Sequence, residues 1–151
     1  TNILKRAAIR EVVKDNLAIY TKYIIRSGET PESVAFNVYG DAELHWVILL
    51  TNDIYDRYHQ WPMNVNQFLA YVNEKYTNPN ATHHYEISQS SGDTSVKIDI
   101  GSDNTGYPSA TAITNFEYEE SRQDVLRQIR LLNVAQVNKV VNDFSRLMKE
   151  R

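Results

Sequence analysis

The sequence predicts an α+β chain: a small βααβ unit, then a helix, short β-strands in a hairpin, and a C-terminal amphipathic helix. Three observations carry this. Residues 26–53, RSGETPESVAFNVYGDAELHWVILLTND, place a turn and a proline before two apolar helical runs. In TSVKIDI (94–100), Val96, Ile98 and Ile100 alternate with polar residues, the period of a strand with one buried face. VAQVNKVVNDFSRLMKE, from Val134 onward, repeats apolar residues at helical spacing. Small helical and β pieces alternate without the βαβ rhythm of a doubly wound sheet. Four segments follow: an arm over 1–19, helical or extended; the βααβ unit over 20–62; a helix, hairpin and loop over 63–111; strands and the last helix over 112–151.

Each element has a local reason. Residues 1–18 carry Ile3, Leu4, Ala7, Ala8, Val12 and Val13 at a spacing that suits a helix or a packed extended arm. YTKYIIRS (20–27) reads as a strand running into a turn at Gly28. Thr30 is placed to N-cap a helix, with Pro31 first inside it and Glu32 at the positive end of its dipole. Val34, Ala35 and Val38 form its apolar face, and Gly40 ends it. Asp41 caps a second helix that turns Leu44, Val47, Ile48 and Leu50 to the core, and DIYDRY (53–58) supplies a closing strand.

WPMNVNQFLAYVNEKY (61–76) reads as a further helix, capped by Asn64 or Asn66, with Phe68, Leu69 and Val72 buried. TNPNAT (77–82) is a loop. HHYEIS (83–88) and TSVKIDI are strands joined by a turn at Gly92-Asp93. GSDNTGYPSAT (101–111) has loop composition. AITNFEYEE (112–120) and RQIRLLN (127–133) read as strands around a short helical link. Asn133 caps the last helix, which lines up Val137, Val140, Val141, Phe144, Leu147 and Met148. The echo of SGET (27–30) in SGDT (91–94) is not a repeat, because a helix follows the first and an alternating strand the second.

Composition excludes several classes. The 151 residues are 42% apolar and 23% charged, enough for a core, with net charge −3. That balance gives no basic footprint for nucleic acid. Cysteine is absent, which removes disulfides, thiolate nucleophiles and Cys-ligated zinc. Lys5 and Arg6 are followed by mixed sequence instead of an apolar signal core, so no signal peptide is expected. The longest apolar run, Trp46 to Leu50, is far below the roughly 20 residues of a membrane span. Ten tyrosines supply contact area with a polar tip, which serves an interface or a tyrosine-rich core equally.

No catalytic or metal set emerges. His45 sits in an apolar helix, His59 has no partner at a recognised spacing, and His83 and His84, adjacent on a strand, are expected to face opposite ways. DIGSDNTG resembles a calcium loop, but Gly101, Asn104 and Ala110 occupy positions that need an oxygen ligand, the turn glycine and the bidentate glutamate. Glu117, Glu119 and Glu120 read as solvated surface and not as a glycosidase pair. Asn80-Ala81-Thr82 is a formal glycosylation sequon. No cofactor is expected.

Residues 23–53, opening Y-x-x-x-x-G-E-T and closing LL-x-N, resemble a LysM module. The resemblance implies a βααβ fold and binding of N-acetylglucosamine polymers such as peptidoglycan, with Gly28, Glu29, Thr30 and Asn52 near the groove. YGDAELHW (39–46) departs from the module by placing bulky aromatics in its connections, which points away from sugar. YGDAELHWVILLTNDIYDRYHQWPM (39–63), with ITNFEYEESRQDVLRQIRLLN before the last helix, is similar to the T4-type baseplate wedge subunit 53 family of contractile-tailed phages. The likeness runs from TNILKRAAIR at the start to the final helix, with Val134 where the family favours proline. It implies a non-enzymatic virion subunit, assembled in the host cytoplasm, that joins wedge proteins and links neighbouring wedges around the hub. Nucleic acid and membrane are not among its implied partners. The implied anchors are Trp46, Tyr55, Tyr58 and Trp61, with a docking stripe of Val137, Val141, Phe144 and Met148.

Overall fold

The computed structural model of the chain describes residues 19–90, 92–93 and 95–149. The arm expected over 1–19 lies outside the described residues, apart from Ile19. Helices and strands mix throughout, as the α+β class requires. Two compact units result: one runs up to Pro62 and resumes at Leu126, and the other is Met63–Val125.

The first unit stands on β1 (Tyr20–Ile24) paired antiparallel with β5 (Gln128–Leu132), Tyr20 opposite Leu132 and Ile24 opposite Gln128. Past β1 the chain turns at Gly28, whose φ of +84° suits a residue without a Cβ. In α1 (Pro31–Tyr39), Thr30 Oγ1 accepts from the Ser33 N–H and Ser33 Oγ from the Thr30 N–H, a capping box. Gly40 ends the helix in the left-handed region. Asp41 caps a 3₁₀ turn (Ala42–Leu44) that leads into α2 (His45–Thr51). Val47 and Ile48 are fully buried, as their spacing predicts. Leu44 and Leu50 are only half-buried, and buried Thr51 donates its hydroxyl to Val47 O at 2.7 Å.

The closing strand is not where the sequence places it. DIYDRY forms no strand: Asp53 takes φ +54°, Gln60 Oε1 accepts from both Tyr55 N–H and Asp56 N–H at 2.8 Å, and Asp56 caps the short α3 (Arg57–Gln60). With its main-chain donors tied to Gln60, this stretch cannot offer them to a ladder. β5 closes the unit instead, and α6 (Val134–Lys149) follows it directly. Ile25, Val34, Ala35, Ile48, Trp61, Ile129 and Leu131 form one buried cluster. Val47, Leu132 and Val137 form another, against which Trp46, Val140 and Val141 pack. Every member of both clusters belongs to this unit.

The second unit contains α4 (Val65–Lys75), β2 (Thr82–Ser88), β3 (Lys97–Asp99), β4 (Thr111–Thr114) and most of α5 (Asn115–Arg127). Asn64, not Asn66, caps α4 in a capping box with Gln67. Phe68 and Val72 are buried, Phe68 edge-on to Phe116 at 5.3 Å, whereas Leu69 is exposed. The hairpin forms as expected, in a sheet of order β3-β2-β4. Its alternating face is not buried, however: Val96 and Ile98 are 44% and 43% exposed. Residues 115–120 are helical instead of extended, because Thr114 and Glu117 form a T-x-x-E capping box at the start of α5. Among the described residues no helix is long and apolar enough to cross a membrane.

Candidate interaction surface

The expected anchors divide into those the fold consumes and those it presents. Trp61 is 8% exposed, sits in the main core and donates its indole N–H to Glu29 O at 2.8 Å. Trp46 stacks at a tilt on Phe144, ring centres 4.7 Å apart. Val137 is buried, and Val141 is half-buried against the same cluster. Val137, Val141 and Phe144 of the C-terminal stripe thus pack within their own chain, and Met148 is half-buried on the same helix. Packing energy explains this: an apolar helix face left in water forgoes about 25 cal/mol for each Å² it could bury.

Tyr55 and Tyr58 are the anchors that remain outside, 64% and 84% exposed. Beside Tyr58, Arg57 reaches across to α1 and grips Glu32 with both terminal nitrogens, at 2.7 and 3.3 Å. Partial burial pushes the Glu32 carboxyl up, but hydrogen bonds from its own main chain and from Arg57 outweigh it and hold the group below its usual range. Asp56 is likewise held low, chiefly by the His59 ring and then by the Tyr58 N–H. Phe36, one turn after Glu32 and so on the same side of α1, is 62% exposed. Sequence reasoning missed Phe36. The signal was available: it lies on the helix side opposite the Val34, Ala35 and Val38 face, where a polar residue is the norm. Phe36, Tyr55 and Tyr58 are thus the exposed aromatics of α1 and of the segment from Asp53 to Gln60, which the Arg57–Glu32 pair ties to α1.

The residues a sugar groove would need are committed to the fold. The Asn52 amide donates to Ile48 O and Arg130 O, at 2.9 and 2.8 Å, while its carbonyl oxygen accepts from the Arg130 N–H at 2.8 Å. Glu29 accepts from the Tyr23 hydroxyl and the Arg26 N–H, and Thr30 is the helix cap. Gly28 serves the turn.

Two polar clusters in the second unit differ from expectation. Glu119 is not solvated surface: at 2% exposure it accepts from Lys75 Nζ at 2.7 Å and Tyr76 OH at 2.8 Å, with Tyr71 and Arg122 beyond. Glu120 is exposed. His83 and His84 do not point apart. A register shift between Thr82 and His84 brings their Nδ1 atoms to 2.9 Å, with His83 stacked on Tyr118 and His84 Nε2 on Glu86. Among the described residues no group of three or more potential metal ligands converges.

Residues 1–92 match the family model described as base plate wedge protein 53. The chain belongs to that family. It is also similar to the baseplate wedge protein gp53 of Enterobacteria phage T4, 27% identical over 143 residues that cover 85% of this chain and 73% of that protein. Membership makes the chain a structural protein of a phage tail baseplate. The family match spans the whole stretch from β1 to α4, and with it Phe36, Tyr55 and Tyr58.

Proposed function

We propose that this chain joins the wedge proteins of a contractile-tail baseplate and links neighbouring wedges around the hub, in a virion assembled in the host cytoplasm. The observation that carries this reading is the coincidence of the family match with the exposed aromatics of α1, the α2–α3 connection and α3. In this reading the LysM-like βααβ unit is a rigid support, its former groove residues turned to structural use. Phe36, Tyr55 and Tyr58 make the contact, framed by the Glu32–Arg57 pair. Tyrosine and phenylalanine suit that task because they bury large areas with few rotatable bonds. Such a role requires no catalytic set and no cofactor.

Co-expression with the other wedge proteins of the same phage tests it. The intact chain should co-purify with them, and Phe36→Ser or Tyr58→Ala should weaken capture about thirtyfold, the effect of losing an anchor worth about 2 kcal/mol. Both positions are exposed, so the variants should keep native circular dichroism. Unchanged capture by the double variant would place the contact elsewhere. Micromolar binding of N-acetylglucosamine oligomers without any protein partner would replace this reading with a sugar-binding one.

A further inference from the structure

The edge of the second unit carries a pattern that is complementary to itself. β3 is the outer strand of the order β3-β2-β4, and all three of its residues are exposed. Its neighbour β2 takes the hydrogen bonds of alternate residues: Gln89 N–H donates to Val96 O, Ile100 N–H donates to Tyr85 O, and Ile98 stands opposite Ile87 between them. In an antiparallel ladder the intervening residues turn their main-chain groups the other way. Lys97 and Asp99 therefore aim their N–H and C=O groups outward from the sheet.

We propose that this edge binds a second copy of the chain, β3 against β3 and antiparallel, about a two-fold axis at Ile98. Three features of the strand meet in that one register. Lys97 falls opposite Asp99 of the other copy, and Asp99 opposite its Lys97, so the charges pair twice. The same two positions form the hydrogen-bonded pairs, using the outward main-chain groups. Ile98 meets its own copy at a non-hydrogen-bonded site, where side chains approach most closely. Val96, opposite Ile100 of the other copy, extends the apolar row, and Val96 and Ile98 gain cover they lack in the single chain.

The side chains are free to adopt these contacts. Lys97 Nζ holds only the exposed Ser88 hydroxyl at 2.7 Å, and one Asp99 oxygen accepts from the Gly101 N–H, leaving the other for the partner lysine. The opposite edge, β4, reads Thr-Ala-Ile-Thr and has no charges to pair. A symmetric interface of this kind closes on itself and yields a dimer, not a filament. The inference is independent of the baseplate reading, because it uses only the second unit.

Sedimentation velocity on the full chain decides it. The chain should show a concentration-dependent monomer–dimer equilibrium. Lys97→Asp and Asp99→Lys, each of which opposes like charges twice, should weaken the dimer about tenfold or more. Mixing these two variants in equal amounts should restore dimers, since each then meets the opposite charge, and a chain carrying both changes should dimerise like the original. Recovery on mixing also proves that both variants fold. A chain that stays monomeric throughout, a dimer indifferent to either reversal, or variants that remain monomeric when mixed would each overturn the proposal.

Discussion

Three hydrogen bonds converge on the side chain of Asn52, and two of them lead to β5. Asn52→Ala leaves the Arg130 N–H and C=O without these partners at a half-buried site. The expected loss is about 2–3 kcal/mol, read as a lower urea midpoint with unchanged slope. A loss within about 0.5 kcal/mol would mean that water replaces the amide fully. Glu119 gives a second prediction at this scale. Burial pushes its carboxyl up, but hydrogen bonds from Lys75 and Tyr76 and the charges of Lys75 and Arg122 outweigh burial and hold it below its ordinary 4.5. A carboxyl lowered in the folded state stabilises above its unfolded value and loses that contribution as pH falls through its folded value. Stability should therefore fall below about pH 4.5, and Glu119→Gln should show a shallower fall than the original chain. Equal acid slopes in the two proteins would show that other carboxylates carry the whole dependence. Lys75 is displaced upward by the same contact, its hydrogen bond to Glu119 first among the causes.

The packing of α6 on α2 belongs to the scale of elements. Trp46 and Phe144 touch ring to ring, so a double-mutant cycle with alanine should give a coupling of about 0.5–1.5 kcal/mol. Additive losses would mean that the contact contributes nothing beyond area. Removing residues 134–151 should destabilise the first unit itself, because Val137 is 2% exposed and packs with Val47 and Leu132. This element also shows what was legible. Helices are legible through short-range chemistry: Thr30, Pro31 and Gly40 for α1, a cap at Asn64 or Asn66 before the Phe68 and Val72 stripe for α4, the apolar stripe for α6. The T-x-x-E box of Thr114 and Glu117 is equally local, but the alternation in AITNFEYEE masks it. The partner of β1 was a different matter. Its pairing with β5 depends on contacts such as Asn52 with Arg130, 78 positions apart, and no local period encodes them. Of the anchors that the resemblance implies, Tyr55 and Tyr58 are exposed. The burial of Trp61 is not legible locally, because only the fold brings Ile129 and Leu131 beside it.

At the scale of the whole molecule, the chain leaves the first unit after Pro62 and returns to it at Leu126. A βααβ order survives in space, β1-α1-α2-β5, because the entire second unit is inserted before the closing strand. Among the described residues, both buried clusters of the first unit draw on its own residues. Trp61 and Ile129 share one of those clusters, which bounds the gap that a shorter connection must cross. A flexible linker of about ten residues has an end-to-end distance near 17 Å, on the scale of a small core. Replacing Met63–Val125 by such a linker should leave a cooperatively folding protein. Shortening the closure also lowers its entropic cost by roughly 1.5 kcal/mol, which favours the excised form. The checks are a single sigmoidal urea transition and retained protection of the β5 amides in hydrogen exchange. A chain that lacks both would show that the closing strand needs the inserted unit to find β1. If the excised protein folds, it also separates the two contact surfaces: capture of wedge proteins through Tyr58 should persist, while self-association through β3 should vanish.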